Sequence, residues 1–293
     1  MSRINDYLEL VRAPAVLTVL GDTLVGGSAA GHALSGRRVV LPLASACLYA
    51  GGMALNDYAD RGTDARERPE RPIPSGRISA RNALTAAAAL TVAGLGFSAA
   101  GGGRRAFAVA LPLAAAIWTY DLLAKRHAIP GAITMGSCRA LDVLMGAGSG
   151  HLRPALAAAG IMGGHTVAVT LLSRGEVEGT TTATASGVAA GTGLLAGAVV
   201  AGSAVPGNQV FVVLAAAAAY AVRCAPAQVR AARNPVAKNA LEATKAGIRA
   251  MVPLQTALTL RQGNVGAAGV LASVDLLGKV LRSRPRSSRI SES

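Results

Sequence analysis

The apolar run Val39–Leu55, VVLPLASACLYAGGMAL, passes directly into Asn56-Asp57-Tyr58-Ala59-Asp60-Arg61-Gly62-Thr63-Asp64, and this junction decides how the chain is built. The run has the length and composition of most of a membrane helix. Five of the fifteen carboxylates of the chain lie between Asp57 and Glu70. A helix that continues through Asp64 sets Asp57, Asp60 and Asp64 at i, i+3 and i+7, on one face. Asn56, four residues before Asp60, lies beside that face. Oxygen-bearing side chains gathered at the end of a membrane helix form a hard-cation site, suited to Mg2+ rather than zinc. Three carboxylates on one face repel one another unless a cation or arginines neutralise them, which favours a ligand site over a merely solvated helix end.

The remainder of the chain sets the surroundings. Of 293 residues 52% are hydrophobic and 15% charged, and apolar segments recur along the whole length in place of a single anchor. That pattern predicts an all-α, polytopic membrane helix bundle in one domain. Ala and Gly supply much of the apolar mass, and Gly187, Gly191 and Gly197 are expected to form a close helix-packing face. A formal net charge of +14 would suit nucleic acid, but the basic residues cluster at the ends of apolar runs. Anionic headgroups and topology account for such clusters, so membrane lipid is the expected partner and nucleic acid is not. Cys47, Cys138 and Cys224 sit in or beside apolar runs without CxxC spacing, and read as free thiols. Ser2–Arg12 reads as a polar, amphipathic lead-in rather than a cleavable signal.

Apolar spans are expected at Ala13–Leu34, Val39–Asp57, Ala83–Ala100, Arg105–Leu123, Pro130–Gly148, Pro154–Leu172, Ala183–Val205 and Val210–Val222. Lys238–Leu260 is amphipathic and interrupted by Arg249 and Pro253, and Val265–Leu281 reads as a last span, giving about nine in all. Arg61, Arg66, Arg68, Arg71, Arg77 and Arg81 crowd the segment Tyr58–Arg81, and six further basic residues lie in Arg223–Arg249. Loops of the opposite parity carry fewer, so the acidic segment and the N-terminus are expected in the cytoplasm. The basic tail Arg282–Arg289 would prefer the same side, which conflicts with nine spans.

The stretch Asn56–Asp64 resembles the NDxxDxxxD motif of UbiA-type intramembrane prenyltransferases. Arg68-Pro69-Glu70-Arg71-Pro72-Ile73-Pro74-Ser75-Gly76 is similar to the segment C-terminal to that motif in the family, and Tyr120-Asp121-Leu122-Leu123-Ala124-Lys125-Arg126 to the second cytoplasmic loop. The resemblance implies a Mg2+-dependent transfer of an isoprenoid from a prenyl diphosphate to a lipophilic acceptor, in a plasma membrane of bacterial type. It makes Asp57, Asp60 and Asp64 metal ligands assisted by Asn56. Arg61, Arg68 and above all Arg71 become diphosphate partners. Lys125 and Arg126 would join them, with Tyr120 near the allylic carbon. Mg2+ and guanidinium groups suit this chemistry, because the leaving diphosphate must be neutralised before the C–O bond ionises.

The second aspartate motif of the family is replaced by Ser173-Arg174-Gly175-Glu176-Val177-Glu178-Gly179. Glu176 and Glu178 can bind Mg2+, with Arg174 beside them, but a spacing of i, i+2 converges only in a loop. Arg139 and Asp142 are ionisable within the apolar run Pro130–Gly148, three residues apart, and read either as a structural pair or as substrate-binding groups. Asp22 in the first span reads similarly, as an acceptor contact or a helix-to-helix bond. Cys138–Asp142 together with Ser173–Glu176 resembles an EboC-like branch of UbiA relatives. The altered second motif leaves a competing reading, a non-catalytic membrane protein that binds or moves a prenylated lipid. A secondary transporter would explain Arg139 and Asp142, but no internal repeat supports it.

Overall fold

A computed structural model describes residues 3–16, 18–32, 35–148 and 150–283, and among these the chain is helical with no strand. Eleven helices follow in order: α1 Arg3–Leu10, α2 Ala13–Val16, α3 Leu20–Ala29, α4 Leu41–Glu67, α5 Ala80–Leu122, α6 Ala128–Ala147, α7 Leu156–Ser173, α8 Thr182–Ala201, α9 Val210–Arg233, α10 Ala237–Leu260 and α11 Val265–Ser283. Among the described residues, five helical stretches are long and apolar enough to cross a membrane: Gly36–Glu67, Ala80–Leu122, Arg153–Ser173, Thr182–Ala201 and Gly207–Arg233.

The acidic segment continues its apolar helix without a break, since α4 runs on to Glu67. Its partner α5 carries 43 residues with one non-helical residue, Gly103, at φ 68 and ψ −160. Contacts on either side of Gly103 show a reversal. Sites for a Cβ on Gly94 and Gly101 abut Leu48 and Leu41 of α4, so the first half of α5 runs antiparallel to α4. The second half returns, with Ala106, Ala110 and Leu113 clustered on Leu41, Ala44 and Leu48, and Asp121 bonded to Asn56. Gly103 thus divides α5 into the two expected spans. A glycine is needed there because that φ/ψ region is open essentially to Gly alone.

Three expectations are corrected. The first span is not continuous: α2 and α3 are separated by a turn at Thr18–Val19. Gly187, Gly191 and Gly197 meet no neighbour, because α8 turns Ala185, Val188, Thr192 and Val199 inward and its glycines outward. The close approaches lie elsewhere: a Cβ on Gly26 would overlap the carbonyl of Val143, and one on Gly146 the carbonyl of Thr23, so α3 and α6 touch backbone to backbone. Finally, α10 is a full helix of the bundle, burying Ala250, Leu254, Ala257 and Leu258 in the central cluster, and its Pro253 does not interrupt it. α11 then folds back, with Leu271 against Leu24 and Val252 and Asp275 on Arg223. The described chain therefore ends on a helix heading back toward the acidic end. Residues 284–293, with most of the basic tail, lie outside the described residues.

Cys47, Cys138 and Cys224 are free, the first half-exposed and the other two buried.

Candidate active site

Four segments meet at one end of the bundle: the last turns of α4, the end of α5 with the turn Ala124–Arg126, the loop 68–79 and the turn after α7. Helical geometry sorts the carboxylates of α4. At about 100° per residue Asp64 lies roughly 20° from Asp57, while Asp60 is roughly 60° off that line. Asp57 and Asp64 accordingly share one partner: Arg71 Nη1 donates to Asp57 Oδ1 at 3.0 Å and to Asp64 Oδ2 at 3.2 Å. Both carboxylates are buried. Asp60 is half-exposed and turns the other way, its Oδ1 2.8 Å from Lys125 Nζ. The two charges are close, but out of line for a hydrogen bond. Lys125 Nζ also lies 3.8 Å from Asp121 Oδ1, which accepts from Asn56 Nδ2 at 2.9 Å.

The acidic face of α4 is thus divided, Asp57 and Asp64 on Arg71 and Asp60 on Lys125, with Glu176 and Glu178 on the separate turn after α7. Among the described residues no three His, Cys, Asp or Glu side chains are grouped to hold a metal ion. The donors form two ion-pair clusters instead, one around Arg71 and one around Lys125. Their chemistry, carboxylate and amide oxygen, is nonetheless that of a Mg2+ site.

Arg174 reaches the second cluster by donating to the backbone carbonyl of Lys125. Half-buried Tyr120 has Asp121, Arg174 and Asp60 as its charged neighbours. Glu176 leans on Thr244 of α10 with Lys245 and Arg68 nearby; burial pushes its carboxyl above the usual carboxylate range, against those three. Glu178 and Arg126 are exposed. Arg61 folds back onto its own turn, its Cζ 4.4 Å from the Tyr58 ring centroid and its Nη1 2.7 Å from the Tyr58 carbonyl.

Three residues escaped the sequence reading. Arg12, in a left-handed turn at φ 49, places Nη2 3.4 Å from Asp57 Oδ1. Arg77 anchors α1 beneath the loop, donating to Asp6 at 2.7 Å and to Glu9 at 2.7 and 3.0 Å. Asp121, unassigned by motif, is buried between the two sides of the second cluster. Spacing could have found only Asp121, four residues before Lys125. The others depend on folding at a distance.

Arg139 and Asp142 belong to a separate cluster deep in the bundle, and they are not each other's partners. Arg139 Nη1 pairs with Asp22 Oδ2 at 2.5 Å, and Gln255 Nε2 donates to Asp22 Oδ1 at 2.7 Å. Asp142 accepts from the Ser45 hydroxyl and faces Asp22. A guanidinium on α6 is long enough to cross to α3, which sits in backbone contact; reaching three residues along its own helix would leave Asp22 buried without a cation.

Residues 18–245 match the model of the UbiA prenyltransferase family. A digeranylgeranylglyceryl phosphate synthase from Ignicoccus hospitalis is 35% identical over 147 residues, covering 49% of this chain and 47% of that protein. One from Methanopyrus kandleri is 42% identical over 96 residues, covering 32% and 35%. The chain thus spans about half or less of the curated relatives it matches. Among solved structures, a UbiA homolog from Aeropyrum pernix superposes with a TM-score of 0.64 at 17% identity, covering 89% of this chain and 98% of that one. A UbiA homolog from Archaeoglobus fulgidus bound to GPP and Mg2+ does so at 0.59 and 14%, covering 93% and 99%. With the acidic helix end, the basic loop facing it and a family match over most of its length, the chain belongs to the UbiA prenyltransferase family.

Proposed function

We propose that the chain works as one helical membrane unit that transfers a prenyl group from its diphosphate to a lipophilic acceptor, with Mg2+ as cofactor. The observation that carries this reading is the pair of mixed-charge clusters at one end of the bundle, Arg71 between Asp57 and Asp64, and Lys125 between Asp60 and Asp121. Carboxylates alone would repel a diphosphate, and cations alone would hold the product as firmly as the substrate. Together they suit a metal-bound diphosphate: Arg71, Lys125, Arg12 and Arg174 would engage its oxygens, and the carboxylates they now pair with would be the metal ligands. Asp57, Asp60 and Asp64 with Asn56 would hold Mg2+ on one side, and Glu176, with Glu178 on the same turn, on the other. When bound, Mg2+ supplies Lewis-acid neutralisation of the leaving diphosphate.

Within this reading Tyr120 stands beside the ionising carbon, and the apolar bundle below it keeps water from the allylic cation. Arg68 and Arg126 draw the diphosphate in from the rim, and Arg61, stacked on Tyr58, takes no part. Arg139 and Asp142 hold the bundle rather than the substrate. The six arginines of the segment Tyr58–Arg81 favour a cytoplasmic position for this end. The name of the curated relatives makes geranylgeranyl diphosphate with a geranylgeranylglyceryl phosphate the first substrate pair to try.

The test is detergent-purified protein incubated with prenyl diphosphates of several lengths, with and without Mg2+, read as diphosphate release and as prenylated product. Release that needs Mg2+ supports the proposal. Binding without release at every chain length would favour the competing lipid-binding reading.

A further inference from the structure

We infer that the end of the bundle opposite the acidic site carries a phosphate notch, built from Arg261 and Ser203, for the headgroup of an anionic lipid. Arg261 comes directly after α10, and its side chain packs under the loop after α8. A Cβ on Gly202 would lie 3.0 Å from its Nη1, so glycine is what admits the guanidinium. The loops are pinned by the Ala204 N–H donating to the Arg261 carbonyl at 2.8 Å. Arg261 is 4% exposed, yet its Nε is buried with no hydrogen-bond partner, and so is the Oγ of Ser203, which lies between Gly202 and Ala204 on the adjoining loop. Burial lowers the pKa of Arg261, and no carboxylate opposes the shift. A buried guanidinium without an anion, with an unsatisfied hydroxyl on the adjoining loop, is costly, unless a ligand with acceptor oxygens completes it.

Among the described residues, this end of the bundle offers no anion of its own. The described segments 30–32, 35–41, 101–106, 150–155, 202–210 and 261–265 make up this end, and they contain Arg37, Arg38, Arg104, Arg105, Arg153 and Arg261 but no Asp or Glu. The anion is then supplied from outside, and a planar guanidinium with a hydroxyl on the adjoining loop suits the oxygens of a phosphate.

The surroundings select a lipid phosphodiester over free phosphate. Phe211, Leu214 and Val265, exposed by 67, 50 and 68%, flank the two loops and offer an apolar wall to acyl chains attached to the bound phosphate. They also select an anionic lipid over a zwitterionic one: a choline or ethanolamine group would bring a second cation into an end with no carboxylate to receive it. This site is independent of the transfer chemistry at the other end.

The experiment uses the full-length protein in detergent, with thermal melting followed as dioleoyl phosphatidylglycerol, dioleoyl phosphatidylcholine or inorganic phosphate is added. Phosphatidylglycerol is expected to raise the melting temperature saturably, and the other two not to. Arg261→Gln should weaken the apparent phosphatidylglycerol affinity roughly ten-fold or more, the worth of a charge-assisted hydrogen bond. Exposed Arg153→Gln should leave it unchanged. Ser203→Ala, which keeps the cation and should fold even if Arg261→Gln does not, should weaken it by a smaller factor. Native mass spectrometry of the wild type should retain phosphatidylglycerol in preference to phosphatidylcholine. An undiminished response in Arg261→Gln, or in Ser203→Ala where Arg261→Gln fails to fold, overturns the site. An equal response to phosphatidylcholine overturns the anionic selectivity, and an equal response to inorganic phosphate shows a free-anion site in place of a lipid one.

Discussion

Arg139→Met tests the deep cluster quantitatively. The substitution keeps most of the length of the side chain and removes the cation from an Asp22 that is 0% exposed. Asp22 would keep the Gln255 amide at 2.7 Å and its neighbour Asp142, but no cation to pair with. Removing one member of a buried pair costs about 3–5 kcal/mol, because the other charge is left uncompensated, whereas replacing both can be nearly neutral. Arg139→Met should therefore cost about 3–5 kcal/mol and Asp22→Asn a comparable amount. The double variant should cost far less than their sum, leaving a coupling of at least about 2 kcal/mol. Asp142→Asn gives the contrast: Asp142 bonds the Ser45 hydroxyl and not Arg139, so its coupling to Arg139→Met should be clearly smaller. Unfolding in mixed micelles by SDS titration reads these free energies directly. Arg139 and Asp22 costs that add to within about 0.5 kcal/mol would refute the pairing. A larger coupling of Arg139 with Asp142 than with Asp22 would restore the same-helix pair expected from spacing.

Three further outcomes are expected. Asp60→Asn should fold normally, since Asp60 is half-exposed, yet lose Mg2+-dependent binding of a non-hydrolysable prenyl diphosphate analogue by at least about ten-fold, the worth of one charge-assisted contact; unchanged affinity and Mg2+ dependence would remove the α4 carboxylates from the metal site. Gly103→Ala should destabilise the protein by about 1–3 kcal/mol in the same titration, because φ 68 with ψ −160 strains any L side chain; a neutral result would mean that the reversal in α5 lies elsewhere. A cysteine at exposed Ser75, with the native cysteines replaced, should be protected from an impermeant thiol reagent outside intact cells and blocked by a permeant one; labelling from outside would invert the proposed orientation.

Much of the architecture is legible because membrane helices announce themselves locally. The run into Asp64, the pair of helices either side of Gly103 and the basic loops could all be placed from short windows. The acidic helix was legible for the same reason, since i, i+3 and i+7 fix a face without reference to the rest of the fold. That face is broad, however, and the division of Asp60 from Asp57 and Asp64 arises from where Lys125 and Arg71 stand on other segments. Arg12 and Arg77 were invisible because each acts across a long stretch of chain, 45 residues to Asp57 and 68 to Glu9. Gly187, Gly191 and Gly197 misled because a small-residue stripe marks a contact only when another helix lies on that side, and α8 turns it outward. The Arg139 pairing failed because a long guanidinium selects its partner in three dimensions. The close backbone approach that delivers Asp22 depends on Gly26 and Gly146, far apart in the chain.

The deep cluster also dictates an order of assembly during synthesis. Asp22 leaves the ribosome 117 residues ahead of Arg139 and 233 ahead of Gln255. At roughly 5–20 residues per second, that leaves the carboxylate without its cation for about 6–23 s and without its amide for about 12–47 s. A lone carboxylate at the centre of a nascent helix costs about 2.5–3.5 kcal/mol to insert, and the broken α2–α3 segment has little apolar length to offset it. The first segment to be made is thus poorly held by lipid alone. The arrival of α6 beside it supplies the Arg139 cation, so the N-terminal segment is expected to gain its full hold in the bilayer only after the sixth helix has been made.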